Sequence, residues 1–356
     1  AREKIVPHQP PAEGKITYRF DDIQDIRDFD RADGRWINFH RKRFVSNKPV
    51  IYAQVDGGFS VWESERNRKV AEPVVYHFAP KEVWDGNGRC EGLIRDWALW
   101  QSSKDTTYFD QLQSVLRVLS PSPGDLIEVG ELRKIAIDDP KRYPTLKMPY
   151  GQEVAIIHAS AGLRRIVALA YLLVWAWQEH LAACNLRGTP PAKEIVFLID
   201  EIEGHLHPQW QRRIVPSLLE VMKALTGDND VHIQLITTTH SPLVLASAES
   251  AFDAKQDAWF DLNLVGEKRE VALEKQVFTR LGDVSNWLTS EAFDLKQARS
   301  LEAETAIQKA LALAHEDAPS KEKIEEVDAD LRKSLGEIDS FWLRWCAFKE
   351  GLEVER

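Results

Sequence analysis

The chain has 356 residues, 44% hydrophobic and 29% charged, with a net charge of −10 at neutral pH. This is the composition of an ordinary globular protein with a sizeable core, and it excludes disordered and collagen-like classes. The acidic balance also argues against a generally basic surface that coats nucleic acid, so any such contact needs a local basic patch.

Cys90, Cys184 and Cys346 lie far apart without metal-ligand spacing, a sparse set that points to a reducing, cytoplasmic setting. The first residues have no apolar core of the signal-peptide kind. The longest apolar run, Ile166 to Trp177, falls short of the roughly 18 residues that a membrane span needs. It reads as a helix buried inside protein, and no membrane partner is expected.

In chain order, the stretch to about residue 35 is polar and contains the loop-like His8-Gln9-Pro10-Pro11. Pro49 to Val55 and Phe59 to Ser64 read as short strands around Asp56-Gly57-Gly58, and Val74 to Pro80 as another; these are antiparallel signals. Gly92 to Gln101 and Tyr108 to Leu119 place apolar residues three and four apart, the stripe of a core-facing helix. Pro121, Pro123 and Gly124 break the chain. Glu153 to Ser160 then reads as a strand, and Leu163 to Leu181 as a long helix. Glu194 to Glu201 is an apolar strand without alternation, as expected where both faces are buried. Trp210 to Leu225 is helical, interrupted or opened by Pro216, and His232 to His240 reads as a second fully apolar strand. Strands alternating with helices predict an α/β fold with a mainly parallel central sheet. Ala258 to Gly266 and Glu270 to Gln276 suggest a closing pair of strands. From Ser290 the chain is helical and holds most of the negative charge, the pattern of a solvated helical face.

Three groups carry chemistry. The strand ending Asp200-Glu201 places two carboxylates at the sheet edge where open α/β sheets bind ligands. Asp200 can hold hydrated Mg²⁺, and Glu201 can polarise a water for attack on a γ-phosphate; a plain strand-to-loop transition explains the pair as well. Ser160, Ala161 and Gly162 precede the long helix, whose N-terminus offers free N–H groups and a positive dipole end to an anion. Ser160 can equally be a simple N-cap. His240 ends a strand at the same edge, where it can touch a phosphate or serve only the structure.

Taken together, Ser160-Ala161-Gly162, Leu198-Ile199-Asp200-Glu201, His205-Leu206-His207-Pro208 and Thr238-Thr239-His240-Ser241-Pro242 resemble the ABC-type ATPase heads of the SMC, RecF and OLD families. The resemblance covers roughly residues 145–250. It implies ATP and Mg²⁺ as cofactors, Asp200 on the metal, Glu201 as catalytic base and His240 as the switch residue. Ser160 and Gly162, with Arg164 beside them, are implied to contact ATP bound on another subunit of a homodimer or higher homo-oligomer. It also implies a division into the rest of an N-terminal β lobe (1–90), a helical insertion or signature subdomain (91–143), the ATPase core (144–275) and a C-terminal helical extension (276–356). Ile202 stands where the family often has proline, and His207 where transporter-type relatives place an aspartate. His205 and His207 form only a thin case for zinc.

The phosphate-cradling pattern G-x-x-x-x-G-K-[ST] does not occur. Its nearest fragment, Gly14-Lys15, has Gln9 for the first glycine and Ile16 for the hydroxyl residue. The expectation is that this loop precedes Ala1 or lies on another polypeptide. Arg299 to Leu311 and Phe341 to Trp345 resemble the end of PtuA-kind ATPases of Septu-type and retron-linked antiphage systems, which implies a sensor or regulator paired with a nuclease effector. Two other readings stay open. One is a DNA-repair or chromosome-associated ATPase gripping DNA through Arg164, Arg165, Arg212 and Arg213, although both pairs sit near helix starts beside the nucleotide site, where pairing with phosphate or carboxylate within the head is the favoured use. The other is a catalytically degenerate scaffold.

Overall fold

In the computed structural model, the described residues are 15–20, 23–30, 35–38 and 48–354, apart from 69–73, 229, 268 and 317–318. The loop-like residues 8–11, and Gln9 and Gly14 of the phosphate-loop fragment, fall outside them. The chain forms two compact units, Ala1–Val244 and Leu245–Arg356.

In the first unit, β1 (Lys15–Phe20), β2 (Ile23–Asp30) and β3 (Arg35–Asn38) pair as an antiparallel meander. β4 (Val50–Ala53) and β5 (Phe59–Trp62) follow, then α1 (Ser64–Asn67), β6 (Tyr76–Phe78) and α2 (Pro80–Asp85). Next come α3 (Leu93–Ser102), α4 (Thr107–Val118), β7 (Glu128–Val129), β8 (Thr145–Lys147) and β9 (Glu153–Ala155). α5 (Ala161–Arg187), β10 (Glu194–Ile199), α6 (Pro208–Gln211), α7 (Ile214–Thr226) and β11 (His232–Thr237) complete it. The central sheet has the order β11-β10-β4-β5-β6. β10 runs parallel to both β11 and β4, whereas β5 and β6 are antiparallel to their neighbours. The sheet is therefore mixed: the glycine turn at Gly57, with φ +89°, makes β4 and β5 a hairpin on the side opposite the parallel strands.

Two expected strands differ. Only Glu153–Ala155 of the run before α5 is extended, and it pairs with β8 in a separate three-stranded sheet. Ile156–His158 then turns as a 3₁₀ helix and delivers Ser160 to the start of α5. β11 is not buried on both faces: β10 is its one neighbour in the described sheet, and its residues alternate between exposed and half-buried. Pro216 lies in the first turn of α7, where its missing N–H costs no helical hydrogen bond. The break between α6 and α7 falls at Arg212 and Arg213 instead.

The core forms around α5. It is capped by the Ser160 hydroxyl at one end and closed by Gly188 at φ +65° at the other. By length and composition it could cross a membrane, yet 83% of its most apolar 18-residue window is buried inside the protein. A helix apolar on nearly every face belongs inside a core. Leu93 and Trp97 of α3, Leu112 and Leu116 of α4, Phe197 of β10 and Leu218 of α7 join it in one cluster. Two buried polar links cross this core. Tyr171 donates its hydroxyl to Asp96 at 2.6 Å. His180 accepts the Ala192 N–H at Nε2 (2.9 Å), so its Nδ1 carries the hydrogen donated to Glu63 at 2.8 Å.

α8 (Pro242–Ala248) carries the chain into the second unit. There β12 (Trp259–Val265) and β13 (Glu270–Gln276) form the expected antiparallel pair. After α9 (Val284–Leu288), helices α10 (Leu301–Ala314), α11 (Lys321–Ser334) and α12 (Phe341–Val354) follow. Ala306, Ile307, Ala310, Leu331, Phe341 and Trp345 close a second hydrophobic core. Asp328 accepts hydrogen bonds from Lys349, Arg332 and Trp345.

Candidate functional site

The site grows out of the C-terminal ends of two neighbouring parallel strands. Asp200 N–H extends the ladder of β10 by donating to the Ala53 carbonyl at 3.0 Å, and Thr238 N–H beyond β11 donates to Ile199 at 3.1 Å. Directly after Asp200 the backbone leaves extended geometry: Glu201 has φ +45° and His205 φ +63°. Left-handed backbone at side-chain-bearing residues costs about 1–3 kcal/mol each and persists where the surroundings enforce it. Here Gly204 N–H donates to Glu201 (2.8 Å), Leu206 N–H to Glu203 (2.8 Å) and Ile202 N–H to Thr238 (3.1 Å).

Side chains bind this turn to the end of β11. The Thr238 hydroxyl donates to Asp200 Oδ1 at 2.7 Å and accepts the Glu201 N–H at 2.9 Å. Glu203 accepts the Thr239 hydroxyl at one carboxylate oxygen and the His240 N–H at the other, both at 2.6 Å. Ser241 donates to Gln211 at 2.7 Å. Asp200 and Glu201 are half-buried, and His240 is exposed. The structure thus brings together the three residues expected from β10 and β11.

Arg165 lies beneath the turn. Its guanidinium donates to the carbonyls of Val55 (3.0 Å), Asp200 (3.2 Å) and Glu201 (3.4 Å). Burial lowers its pKa, and the charges of Glu201, Asp200, Glu203 and Asp56 oppose that shift. An arginine whose two terminal nitrogens are held by carbonyls within a carboxylate-rich turn is an organiser of the turn.

At the start of α5, Ser160 is exposed and its hydroxyl accepts the Leu163 N–H at 3.3 Å, which is the N-cap arrangement. Gly162 is buried, and a Cβ there would stand 2.6 Å from the His205 carbonyl oxygen. The glycine lets α5 approach the turn after β10. Arg164 is exposed and stacks over Trp84, 4.8 Å from the ring centroid. Arg164 borders a cleft of about 210 Å³ that is also lined by Asp56, Trp84, Arg165, Ile202 and His205.

Among the described residues no group of three or more His, Cys, Asp or Glu could hold a metal ion by itself. Mg²⁺ does not need one, since it keeps several waters and takes one or two carboxylates with substrate phosphates. Asp200 fits that role, because Thr238 uses one of its oxygens and leaves the other for a hard cation. The zinc alternative loses a donor, as His207 Nδ1 accepts the Gln209 N–H at 3.3 Å and caps α6. Sequence reasoning missed Glu203 and Thr238, and for Arg165 it favoured phosphate or carboxylate pairing within the head where the partners are carbonyls. The run of threonines before His240 and a third acid two residues after Glu201 were the available signals.

Residues 3–246 match the family model described as "AAA domain, putative AbiEii toxin, Type IV TA system". The retron Ec83 probable ATPase of Escherichia coli is 30% identical over 145 residues, covering 40% of this chain and 22% of that protein. The retron Vc95 probable ATPase of Vibrio cholerae serotype O1 biovar El Tor is 30% identical over 208 residues, 58% of this chain and 34% of that one. Septu protein PtuA of Bacillus mycoides (strain KBAB4) is 28% identical over 171 residues, 48% of this chain and 21% of that one. The chain thus spans about a third or less of these relatives' lengths. Among solved structures, the SMC head domain from Thermotoga maritima aligns with 76% of this chain and 77% of its own, at 14% identity and a TM-score of 0.33.

Proposed function

The chain belongs to this AAA-domain family, whose model spans residues 3–246, and we propose that it supplies the hydrolytic residues of a Mg²⁺-dependent ATPase. The observation that carries this reading is the joining of Asp200, Glu201 and His240 at one sheet edge by Thr238 and Glu203. Asp200 holds the metal, which when bound neutralises charge on the phosphates. Glu201 orients a water and takes its proton, and the left-handed backbone at Glu201 turns the chain out of the strand's direction at this residue. His240 meets the γ-phosphate from the neighbouring strand end. The pattern G-x-x-x-x-G-K-[ST] does not occur in the sequence, so no residue is assigned to gripping the phosphates.

Ser160 and Arg164, both exposed, face the nucleotide of a second subunit, so that ATP closes a dimer and hydrolysis reopens it; Gly162, buried against the His205 carbonyl, sets the approach of α5 to the turn and makes no such contact. Arg164 suits this role, because its described contact is the Trp84 ring. The names of the retron and Septu relatives support a place in antiphage defence, with the ATPase acting in the cytoplasm as sensor or regulator of a nuclease effector.

The metal assignment is tested by Asp200→Asn in the full-length protein. Loss of one carboxylate charge at a Mg²⁺ site raises the Mg²⁺ concentration for half-maximal turnover by at least about tenfold, or 1.4 kcal/mol of binding. An unchanged Mg²⁺ requirement removes Asp200 from the metal.

A further inference from the structure

We infer that Glu203 is a positioning residue: it latches the backbone of the switch segment Thr239–His240 to the turn that carries Asp200 and Glu201. This rests on the ATPase reading above and adds a residue to it.

Both oxygens of the Glu203 carboxylate are used, one by the Thr239 hydroxyl and one by the His240 N–H, each at 2.6 Å. Charge-assisted hydrogen bonds of this length are among the strong ones. They are needed because the segment leaves β11 at Thr237 and has little other anchorage: Thr238 N–H still pairs with Ile199, whereas Thr239 to Ser241 depends on side chains. Glu203 supplies the attachment at the middle of this stretch, and Gln211 holds Ser241 at its far end.

Glu203 is itself held rigidly. It lies between the left-handed residues Glu201 and His205, in a turn closed by two 2.8 Å backbone hydrogen bonds and underpinned by Arg165. The Glu201 backbone and the His240 backbone therefore belong to one hydrogen-bonded body, with Thr238 as a second bridge. A displacement of either strand end is passed to the other within this body. The His240 imidazole stays exposed because its backbone, not its ring, is what Glu203 holds.

The test compares Glu203→Ala, Glu203→Gln and Thr239→Val in the full-length protein, with Glu220→Ala on the exposed face of α7 as control. Two readouts are taken: steady-state ATP turnover and hydrogen exchange of the His240 amide. A carboxamide at 203 can still accept the His240 N–H and donate to the Thr239 hydroxyl, so the latch predicts rescue by glutamine. In Glu203→Ala, His240 exchange rises and kcat falls by about tenfold or more, while KM for ATP stays within about twofold. Glu203→Gln stays within about threefold of the unaltered protein on both readouts, and Thr239→Val falls between them. Should Glu203→Ala fail to fold, Thr239→Val carries the comparison from the other side of the latch.

Unchanged His240 exchange in Glu203→Ala overturns the latch. Loss of turnover as complete in Glu203→Gln as in Glu203→Ala overturns the positioning role in favour of a base or a cation ligand. Full turnover in Glu201→Gln overturns the assignment of Glu201 as the base, and absence of ATP turnover in the unaltered protein overturns the ATPase reading itself; both outcomes are separate from the latch, which His240 exchange reports.

Discussion

Gly162 shows how one residue can be read in two ways. In the sequence it is part of a helix N-terminus suited to an anion; in the structure its missing side chain admits the His205 carbonyl. Gly162→Ala sets a Cβ 2.6 Å from a backbone oxygen, so α5 or the turn has to shift. The expected destabilisation is about 1–3 kcal/mol, the usual cost of overpacking, measured by urea denaturation. An alanine variant of native stability would mean that the turn yields freely. The placement of Asp200, Glu201 and His240 just beyond two strand ends was legible because each follows an apolar run, and strand ends are set by hydrophobic patterning. Glu203, Thr238 and Arg165 were not, because their partners depend on the path of a turn that passes through left-handed backbone at Glu201 and His205. No periodicity encodes that path.

Among elements, the link between α3 and α5 makes a pH-dependent prediction. Burial pushes the Asp96 carboxyl up to about 6, against the opposing hydrogen bond from Tyr171. A carboxyl that holds its proton more tightly when folded favours the native state at low pH. Stability therefore falls as pH rises from about 4 to about 6, by about 2–3 kcal/mol in total, and levels off above. Asp96→Asn removes this slope in urea titrations across that window, and a slope that persists in the variant assigns it to other groups. The elements themselves were largely legible: apolar spacing gave α3, α4 and α5, and the glycine turn gave the β4–β5 hairpin. Misreadings arose where neighbours decide. β11 has the apolar run of a central strand, yet it is the terminal strand of the described sheet. The run before α5 has strand composition, yet 3₁₀ geometry takes over after Ala155.

At the scale of the molecule, the first unit carries the mixed sheet and the candidate site, and the second carries a hairpin and the helices α9 to α12, the last three of which close a separate core. The α/β class and the helical C-terminal part were readable from alternating and then uninterrupted helical patterns. The order of the strands within the mixed sheet was not, since strand order is a long-range property that local spacing does not determine. The four arginines considered for DNA do not form one free basic stripe: Arg165 is turned inward onto carbonyls and Arg164 lies over Trp84. The central claim is that Glu201 activates the water that attacks ATP. Its most direct test is single-turnover ATP cleavage by Glu201→Gln in the full-length protein, with nucleotide binding measured in parallel. The claim predicts that cleavage slows by about 10²-fold or more while affinity for Mg²⁺–ATP is kept, the signature of a lost general base. Cleavage at the unaltered rate by the glutamine variant would contradict it.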